Sequence, residues 1–420
     1  MKLLKTTFYS SIITLIRVSS GFIISKIVAI LTGASGIAII GAFTNFFSIV
    51  LTFANGAINT GVVKYTAEFE EDEEKLKSLF STSFKITIYC SIIIGMILVF
   101  LASFWSNLIF VNKIYELPIK ILGFTVIFYA LNSLLISILN GKKQIKIYTL
   151  VNSLGSIIGL IFTAILVYIF KIEGALYAMV LSQSIVFFVT LGLIMRTPWF
   201  NKEYFNKKFD KIKAIQLSHY SLMALVSALT VPVAQLLLRN ILITKLGIDE
   251  AGYWQGMMRI SDAYLMIITT SLSTYFLPKL VSLKTDKDLR DEILNGYKLI
   301  LPLVFLSCLL IFFFRFFIIK ILFTIEFISM EQLFYWQLLG DFFKIATWIL
   351  GYLILAKAMT KIYVLSEIMF SFLYVFLGYL FTDFFQLKGV VIAFAITYLL
   401  NFIFMIYIFK KLLFKKNSIS

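Results

Sequence analysis

The chain carries few residues suited to chemistry. One histidine in 420 residues, His219, excludes a histidine-rich metal centre. The only cysteines, Cys90 and Cys308, both lie inside apolar runs, which argues against a disulfide framework or a thiolate metal site and for core packing. No Cys/His pair or Gly-x-Ser-x-Gly elbow occurs. Gly141-Lys142-Lys143 lacks the upstream glycine and the following Ser/Thr of a phosphate-binding loop, so ATP is not the expected fuel. No catalytic residues, metal or cofactor are therefore expected, and the chain is read as a non-enzyme. Charge is scarce as well, at 14% of residues. What fills the chain is apolar: 60% of residues, 44 of them Phe, with a mean hydropathy of +0.95, more than a soluble domain could hide from water.

A bilayer-spanning helix needs roughly 20 apolar residues. Apolar runs between Lys/Arg clusters and Gly or Pro breaks predict twelve spans: 8–32, 36–64, 81–104, 118–140, 147–170 and 174–195, then 216–243, 252–278, 293–317, 331–356, 362–382 and 389–409. Lys2 and Lys5 ahead of Phe8 to Leu31 follow the charge order of a signal peptide. The run is too long for one, and no small-residue cleavage site follows, so it is expected to stay as the first span. With both termini on one side, that side holds 26 Lys and Arg, whereas the opposite loops hold six (Lys113, Lys120, Lys171, Lys245, Lys320 and Lys388). The positive-inside rule then makes both termini cytoplasmic. The net charge of +16 is membrane topology rather than a footprint for nucleic acid. The acidic run Glu68, Glu70, Glu71, Asp72, Glu73 and Glu74 is expected as a solvated helix in the first cytoplasmic loop.

The two halves repeat. An offset of 215 residues aligns Lys64 with Lys279, Lys142 with Lys357, Lys146 with Lys361, Ile147-Tyr148 with Ile362-Tyr363, and Gly174 and Ala178 with Gly389 and Ala393. The expected fold is an all-α integral membrane protein: two pseudo-symmetric six-helix bundles around a central cavity. An N-terminal lobe would cover 1–195, a cytoplasmic linker 196–215 and a C-terminal lobe 216–420.

Ionisable residues inside spans are costly and mark a pathway or a pair. The bases are Arg17 and Lys26 on the first span, Arg239, Arg259, Arg315 and Lys344; the acids are Asp262, Asp341 and Glu367. Arg239 and Arg315 lie where snorkelling explains them, and Lys64 and Lys279 end their spans on the cytoplasmic side. Nine residues place Arg17 and Lys26 on opposite faces of a straight helix, so one of them faces the cavity, and Arg17 is preferred. Arg259 and Asp262 stand three apart, as do Asp341 and Lys344, so each couple can meet on one helix face. Such couples are either self-neutralising glue or a switch: an anionic headgroup takes the base while the freed carboxylate takes a proton. Glu367 aligns with Asn152, so repeat geometry does not require its charge. Asn45, Asn55, Asn59, Asn132, Asn152, Gln183, Gln235 and Gln255 are candidates for sugar hydroxyls, and each serves equally well as a helix-to-helix hydrogen bond. Tyr253, Trp254, Tyr335 and Trp336 fall at outer span ends, where an interfacial belt is expected. Pro232 should kink the seventh span, and His219 reads as interfacial packing.

The stretches KYTA (Lys64–Ala67), WQGMMRISDAYL (Trp254–Leu265), YFLPKL (Tyr275–Leu280), WQLLGDFFK (Trp336–Lys344) and GYLILAK (Gly351–Lys357) resemble Wzx-type flippases, the group that handles O-antigen units and enterobacterial common antigen (lipid III). The resemblance covers essentially the whole chain. It implies membership of the multidrug/oligosaccharidyl-lipid/polysaccharide exporter superfamily, with multidrug and toxic compound extrusion (MATE) transporters and lipid II flippases as wider kin. It further implies alternating access in the bacterial inner membrane, and an undecaprenyl-diphosphate-linked oligosaccharide turned from the cytoplasmic to the periplasmic leaflet under an ion or proton gradient. The pathway's polymerase and chain-length regulator would be partners, beside membrane lipid. On that basis Arg17, Lys26, Arg259 and Lys344 become candidates for the diphosphate, with Lys64 near the entrance, and Asp262, Asp341 and Glu367 candidates for ion coupling. An O-antigen unit is the preferred substrate, and lipid III or a drug or cation the alternative. A drug exporter should carry unpaired interior acids, whereas six bases here face three acids.

Overall fold

The computed structural model describes residues 2–197, 199–357 and 359–414, and every regular element among them is helical. Besides three short turns of 3-10 or π helix (Lys202–Phe205, Leu272–Phe276 and Ile325–Leu333), these are in order α1 (Lys2–Ala54), α2 (Asn59–Glu68), α3 (Glu73–Phe100), α4 (Ala102–Phe110), α5 (Glu116–Gly141), α6 (Ile145–Ile194), α7 (Lys211–Leu246) and α8 (Ile248–Ser271). Then follow α9 (Leu277–Ser282), α10 (Asp286–Phe313), α11 (Arg315–Leu322), α12 (Phe334–Ala356), α13 (Thr360–Phe385), α14 (Leu387–Ile408) and α15 (Lys410–Phe414). Among the described residues, nine helical segments are long and apolar enough to cross a membrane, two of them of double length, at 43 residues (Ile12–Ala54) and 50 residues (Ile145–Ile194). Both long segments are broken where the sequence predicts a turn, at Gly33 (φ 68°, ψ −161°) and at Lys171 (φ 53°, ψ −126°). After Lys171, α6 folds back on itself. A Cβ on Gly155 would touch Val186, and one on Gly174 would lie 1.9 Å from the Leu166 carbonyl oxygen, so only glycine fits there.

The second expected span, 36–64, ends early. Gly56 (φ 62°) and Ala57 (φ 53°) turn the chain after Ala54, as an Asn-Gly pair favours, and Lys64 therefore stands on the separate short helix α2. The acidic run is not a loop helix by itself but the seam between α2 and α3. Asp72 caps α3 by accepting the Lys75 backbone N–H at 3.0 Å, and Glu73 and Glu74 follow in the first turn, where carboxylates complement the helix dipole.

Two compact units emerge: Met1–Thr32 with Ile39–Leu236, and Gly33–Ala38 with Leu237–Ser420. In the first, α5 packs against α3 and α6; in the second, α14 packs against α12 and α13. Segment 196–215 packs onto the first unit. Trp199, Tyr204 and Phe205 gather around Phe80, and Leu217 is fully buried with Leu76, Leu79 and Val62. Each such side chain buried from water contributes about 2 kcal/mol. The Lys142 ammonium sits 5.0 Å from the Trp199 ring centroid, 5.7 Å from Tyr204 and 5.9 Å from Phe80. Burial foremost pulls its pKa down, against the field of Glu70 and Glu73. The acidic seam is tied to the same layer through Glu70–Lys143 and Glu74–Lys207, both at 2.6 Å. The Asp210 carboxylate accepts the Ser78 hydroxyl at 2.8 Å. The side chain of His219 lies outside the described residues.

Candidate functional site

The first unit encloses a polar cavity of about 200 Å³ between the first half of α1, α5 and both arms of α6. Arg17 is its one charged lining residue, among Tyr129, Asn132, Ser133, Asn152, Ser156 and Gln183. The helix-wheel preference for Arg17 thus places a cation in a polar pocket. Asn152 Nδ2 donates back to the Tyr148 carbonyl at 2.8 Å, and Asn132, buried, has an Oδ1 with no protein partner. Asn55 and Asn59 converge on Ser133, donating to its hydroxyl at 3.5 and 2.8 Å, and the Oδ1 of each is likewise unmatched. Of Asn55, Asn59, Asn132 and Ser133, only Asn132 and Ser133 line the cavity itself, so the guanidinium shares it with one unmatched amide acceptor and with several hydroxyls and amides, an arrangement suited to a ligand that brings both negative oxygens and hydroxyl donors.

The remaining candidates of this unit stand apart from that pocket. Lys26 is half-buried nine residues further along α1. Lys64 is exposed on α2, 3.9 Å from Glu68 and 5.0 Å from the Tyr65 ring centroid, as a surface cation would be. Asn45 is half-buried with its Nδ2 unmatched, and Gln235 is half-buried on α7 three residues past Pro232.

In the second unit the expected Asp341–Lys344 couple does not close. Asp341 is fully buried, and its carboxylate accepts the Ser261 hydroxyl at 2.6 Å, the Tyr264 hydroxyl at 2.7 Å and Gln337 Nε2 at 3.2 Å. Lys344, one turn on, points its ammonium at the rings of Trp348, Phe394 and Tyr398, with centroids at 5.2, 5.8 and 5.9 Å. Spacing alone lets two residues share a face, but here the neutral donors of α8 outcompete the amine for the carboxylate, and the aromatic faces take up the cation. Lys344 still acts electrostatically on both Asp262 and Asp341. Asp262 is exposed, Arg259 and Glu367 are half-buried, and Glu367 lies within electrostatic reach of Tyr398.

Arg239 overturns the snorkelling expectation. It is fully buried, its Nη2 donates to Gln255 Oε1, and its guanidinium lies 5.6 Å from the Trp254 ring centroid. Nε and Nη1 have no protein partner, and Arg259 lies close enough to repel it. Trp254 is buried too, so it belongs to this enclosure and not to an interfacial belt, whereas Tyr335 is exposed as a belt residue should be. Arg315, by contrast, pairs with Glu331 at 2.7 Å.

Reading the sequence for charge alone misses the neutral half of each site: Tyr129, Ser133 and Ser156 around Arg17, and Ser261, Tyr264 and Gln337 around Asp341. A signal for the second group exists in Gln337 and Asp341, four apart on α12, opposite Ser261 and Tyr264, three apart on α8. Among the described residues no cluster of His, Cys, Asp or Glu could hold a metal ion.

A family model described as polysaccharide biosynthesis protein matches residues 37–332. The lipid III flippases of Escherichia coli (strain K12) and Shigella flexneri are each 30% identical to this chain over 381 residues, which covers 90% of it and 92% of each relative. Among solved structures, a multidrug resistance MATE family transporter of the MOP superfamily, caught inward-facing, matches with a TM-score of 0.79 at 16% identity, over 97% of this chain and 96% of that one. The lipid II flippase MurJ, in an inward closed conformation, matches with a TM-score of 0.74 at 17% identity, over 97% and 87%. These two likenesses give the fold: a MATE-like helical transporter architecture.

Proposed function

Because the chain belongs to the polysaccharide biosynthesis protein family, we propose that it is a flippase that turns an undecaprenyl-diphosphate-linked oligosaccharide from the cytoplasmic to the periplasmic leaflet of the bacterial inner membrane by alternating access. The observation that carries this reading is the 30% identity to lipid III flippases along nine-tenths of the chain. Twelve spans fit it: the nine apolar segments, one more from each break at Gly33 and Lys171, and α8, whose Gln255, Arg259 and Asp262 dilute its hydropathy. On this view the lobes are 1–195 and 216–420, related by a pseudo-symmetry axis along the membrane normal and joined by 196–215, with both termini cytoplasmic.

Arg17 is the base we assign first to the diphosphate, because it stands in a polar pocket with the unmatched Asn132 Oδ1 beside it for a sugar hydroxyl. Arg259 and Lys344 are assigned to the same anion, Lys26 to its path, and Lys64, exposed on α2, to the entrance. Asn45, Asn55, Asn59, Asn132, Asn152, Gln183, Gln235 and Gln255 are assigned to the sugars. Asp262, Asp341 and Glu367 are assigned to coupling with a proton or ion gradient, Asp262 foremost, since it is exposed and shares the field of Lys344. An O-antigen unit is the preferred cargo and lipid III the alternative; the pathway's polymerase and chain-length regulator would receive the product. A drug or cation exporter is disfavoured by the interior excess of bases. Complementation of flippase-null strains that make different repeat units is the test: restored surface polysaccharide in one of them names the cargo, and restoration in none would overturn the reading.

A further inference from the structure

We propose that the seam between the first half of α1 and the first half of α6 is a track for the polyprenyl diphosphate itself, with the diphosphate at Arg17 and the isoprenoid tail in an apolar groove toward Leu31 and Ile169. The inference rests on the flippase reading and adds where the tail lies. Two cavities open along this seam. The first holds Arg17 with Asn152 and Ser156 of α6. The second, about 460 Å³, is lined by Ile27, Leu31, Ala164, Ile165, Tyr168 and Ile169, with no charged side chain.

The two cavities are in register. Along α1, Arg17 to Ile27 and Leu31 is about 15–21 Å at 1.5 Å per residue; along α6, Ser156 to Ala164 and Ile169 is about 12–20 Å. Polar end therefore meets polar end, and apolar meets apolar. Within the expected span 8–32, Arg17 stands about 14 Å from one end and about 22 Å from the other, so its anion would sit well inside the span. That depth does not suit a resident phospholipid, whose headgroup stays at the interface, but it suits a carrier lipid whose headgroup is being moved across. The groove is uncovered: Ile165, Tyr168 and Ile169 are 54%, 72% and 58% exposed. One cation at one end and an open groove without charged side chains at the other complement a single-chain anionic amphiphile.

The test places the photoreactive residue p-benzoylphenylalanine at Tyr168 of the full chain in phospholipid nanodiscs and adds radiolabelled undecaprenyl diphosphate. The expected result is labelling that unlabelled undecaprenyl diphosphate competes away and phosphatidylglycerol does not. Arg17→Ala should lower it roughly tenfold, as loss of one charged donor would, and the same probe at exposed Tyr89 of α3 should label only at background. Labelling that phosphatidylglycerol competes equally, that ignores Arg17→Ala, or that Tyr89 matches would overturn the track. Translocation of lipid-linked oligosaccharide by the same preparation is read in parallel. Translocation with unspecific labelling removes the track and leaves the flippase; no translocation of any such lipid removes the flippase reading itself.

Discussion

The polar interiors of the two units are built on opposite principles. Around Arg17 the first unit leaves hydrogen-bonding capacity open, with the Oδ1 of Asn132 unmatched in the cavity and those of Asn55 and Asn59 unmatched behind Ser133. Around Asp341 the second unit fills it, with three donors on one carboxylate and three aromatic rings around the nearest ammonium. A pocket with vacant acceptors beside a cation is prepared to exchange partners. A saturated, buried carboxylate is prepared to keep them, because removing one partner from such a network costs more than the bond is worth.

The sharpest way to break this comparison is at Arg17. Arg17→Ala should abolish surface polysaccharide in a complemented flippase-null strain while the protein still inserts, and Arg17→Lys should restore part of it; normal polymer with Ala would erase the distinction between the units. Asp341→Ala should act on stability first. It takes the acceptor from the Ser261 and Tyr264 hydroxyls at about 1–3 kcal/mol per buried group, while Gln337 Nε2 keeps Ser261 Oγ at 3.3 Å, so thermal melting of the detergent-solubilised protein should fall by several degrees, and less for Asp341→Asn. Asp262→Asn, at an exposed carboxylate, should leave melting unchanged but make vesicle transport insensitive to a pH gradient; an undiminished gradient response would remove Asp262 from coupling.

A smaller effect tests what the units share. Lys171 (φ 53°, ψ −126°) and Gln386 (φ 51°, ψ −134°) adopt nearly the same left-handed geometry 215 residues apart, the offset that aligns the two halves of the sequence. Lys171→Gly and Gln386→Gly should each raise melting by the equivalent of roughly 1 kcal/mol, since both release a strained non-glycine conformation; a gain at one site only would mean that the two bends are held differently.

The smallest expected effect lies in the layer formed by segment 196–215 and the acidic seam. The Asp72, Glu74 and Asp210 carboxyls are held below their usual range, foremost by Lys75, Lys207 and Ser78 respectively. A depressed carboxylate stabilises the fold above its ordinary pKa, and the gain fades as pH falls through the lowered value. Limited proteolysis within 196–210 should therefore stay slow at neutral pH and quicken only below the ordinary carboxylate range. The change should be modest, because exposed pairs are weak.

Much of this fold is legible in the sequence because hydropathy and turn chemistry are local. The breaks at Gly33 and Lys171 and the boundaries of α5, α12, α13 and α14 fall within a few residues of expectation. The Asn55-Gly56 turn was overrun because the apolar pattern continues through it, so hydropathy sees no boundary where backbone chirality sets one. The site is legible in its charges and not in its partners. Arg17 is found by depth and helical phase, while Ser133, Tyr264 and Gln337 are ordinary residues until folding brings them to a charged group. Arg239 shows the limit most clearly: its distance from a helix end suggests escape to the interface, and only packing by Trp254 and Gln255 closes that route.

The packing of Trp199, Tyr204, Phe205 and Leu217 against Phe80 bears on how the protein is made. The apolar segments up to Ile194 emerge from the ribosome before the residues that cover one end of them, so the first unit is made with Phe80, Leu76 and Lys142 uncovered. It is finished only when the chain has grown past Leu217. A split protein cut at 195 would leave that face open in one fragment and its cover in the other, whereas a cut beyond 217 would keep both together.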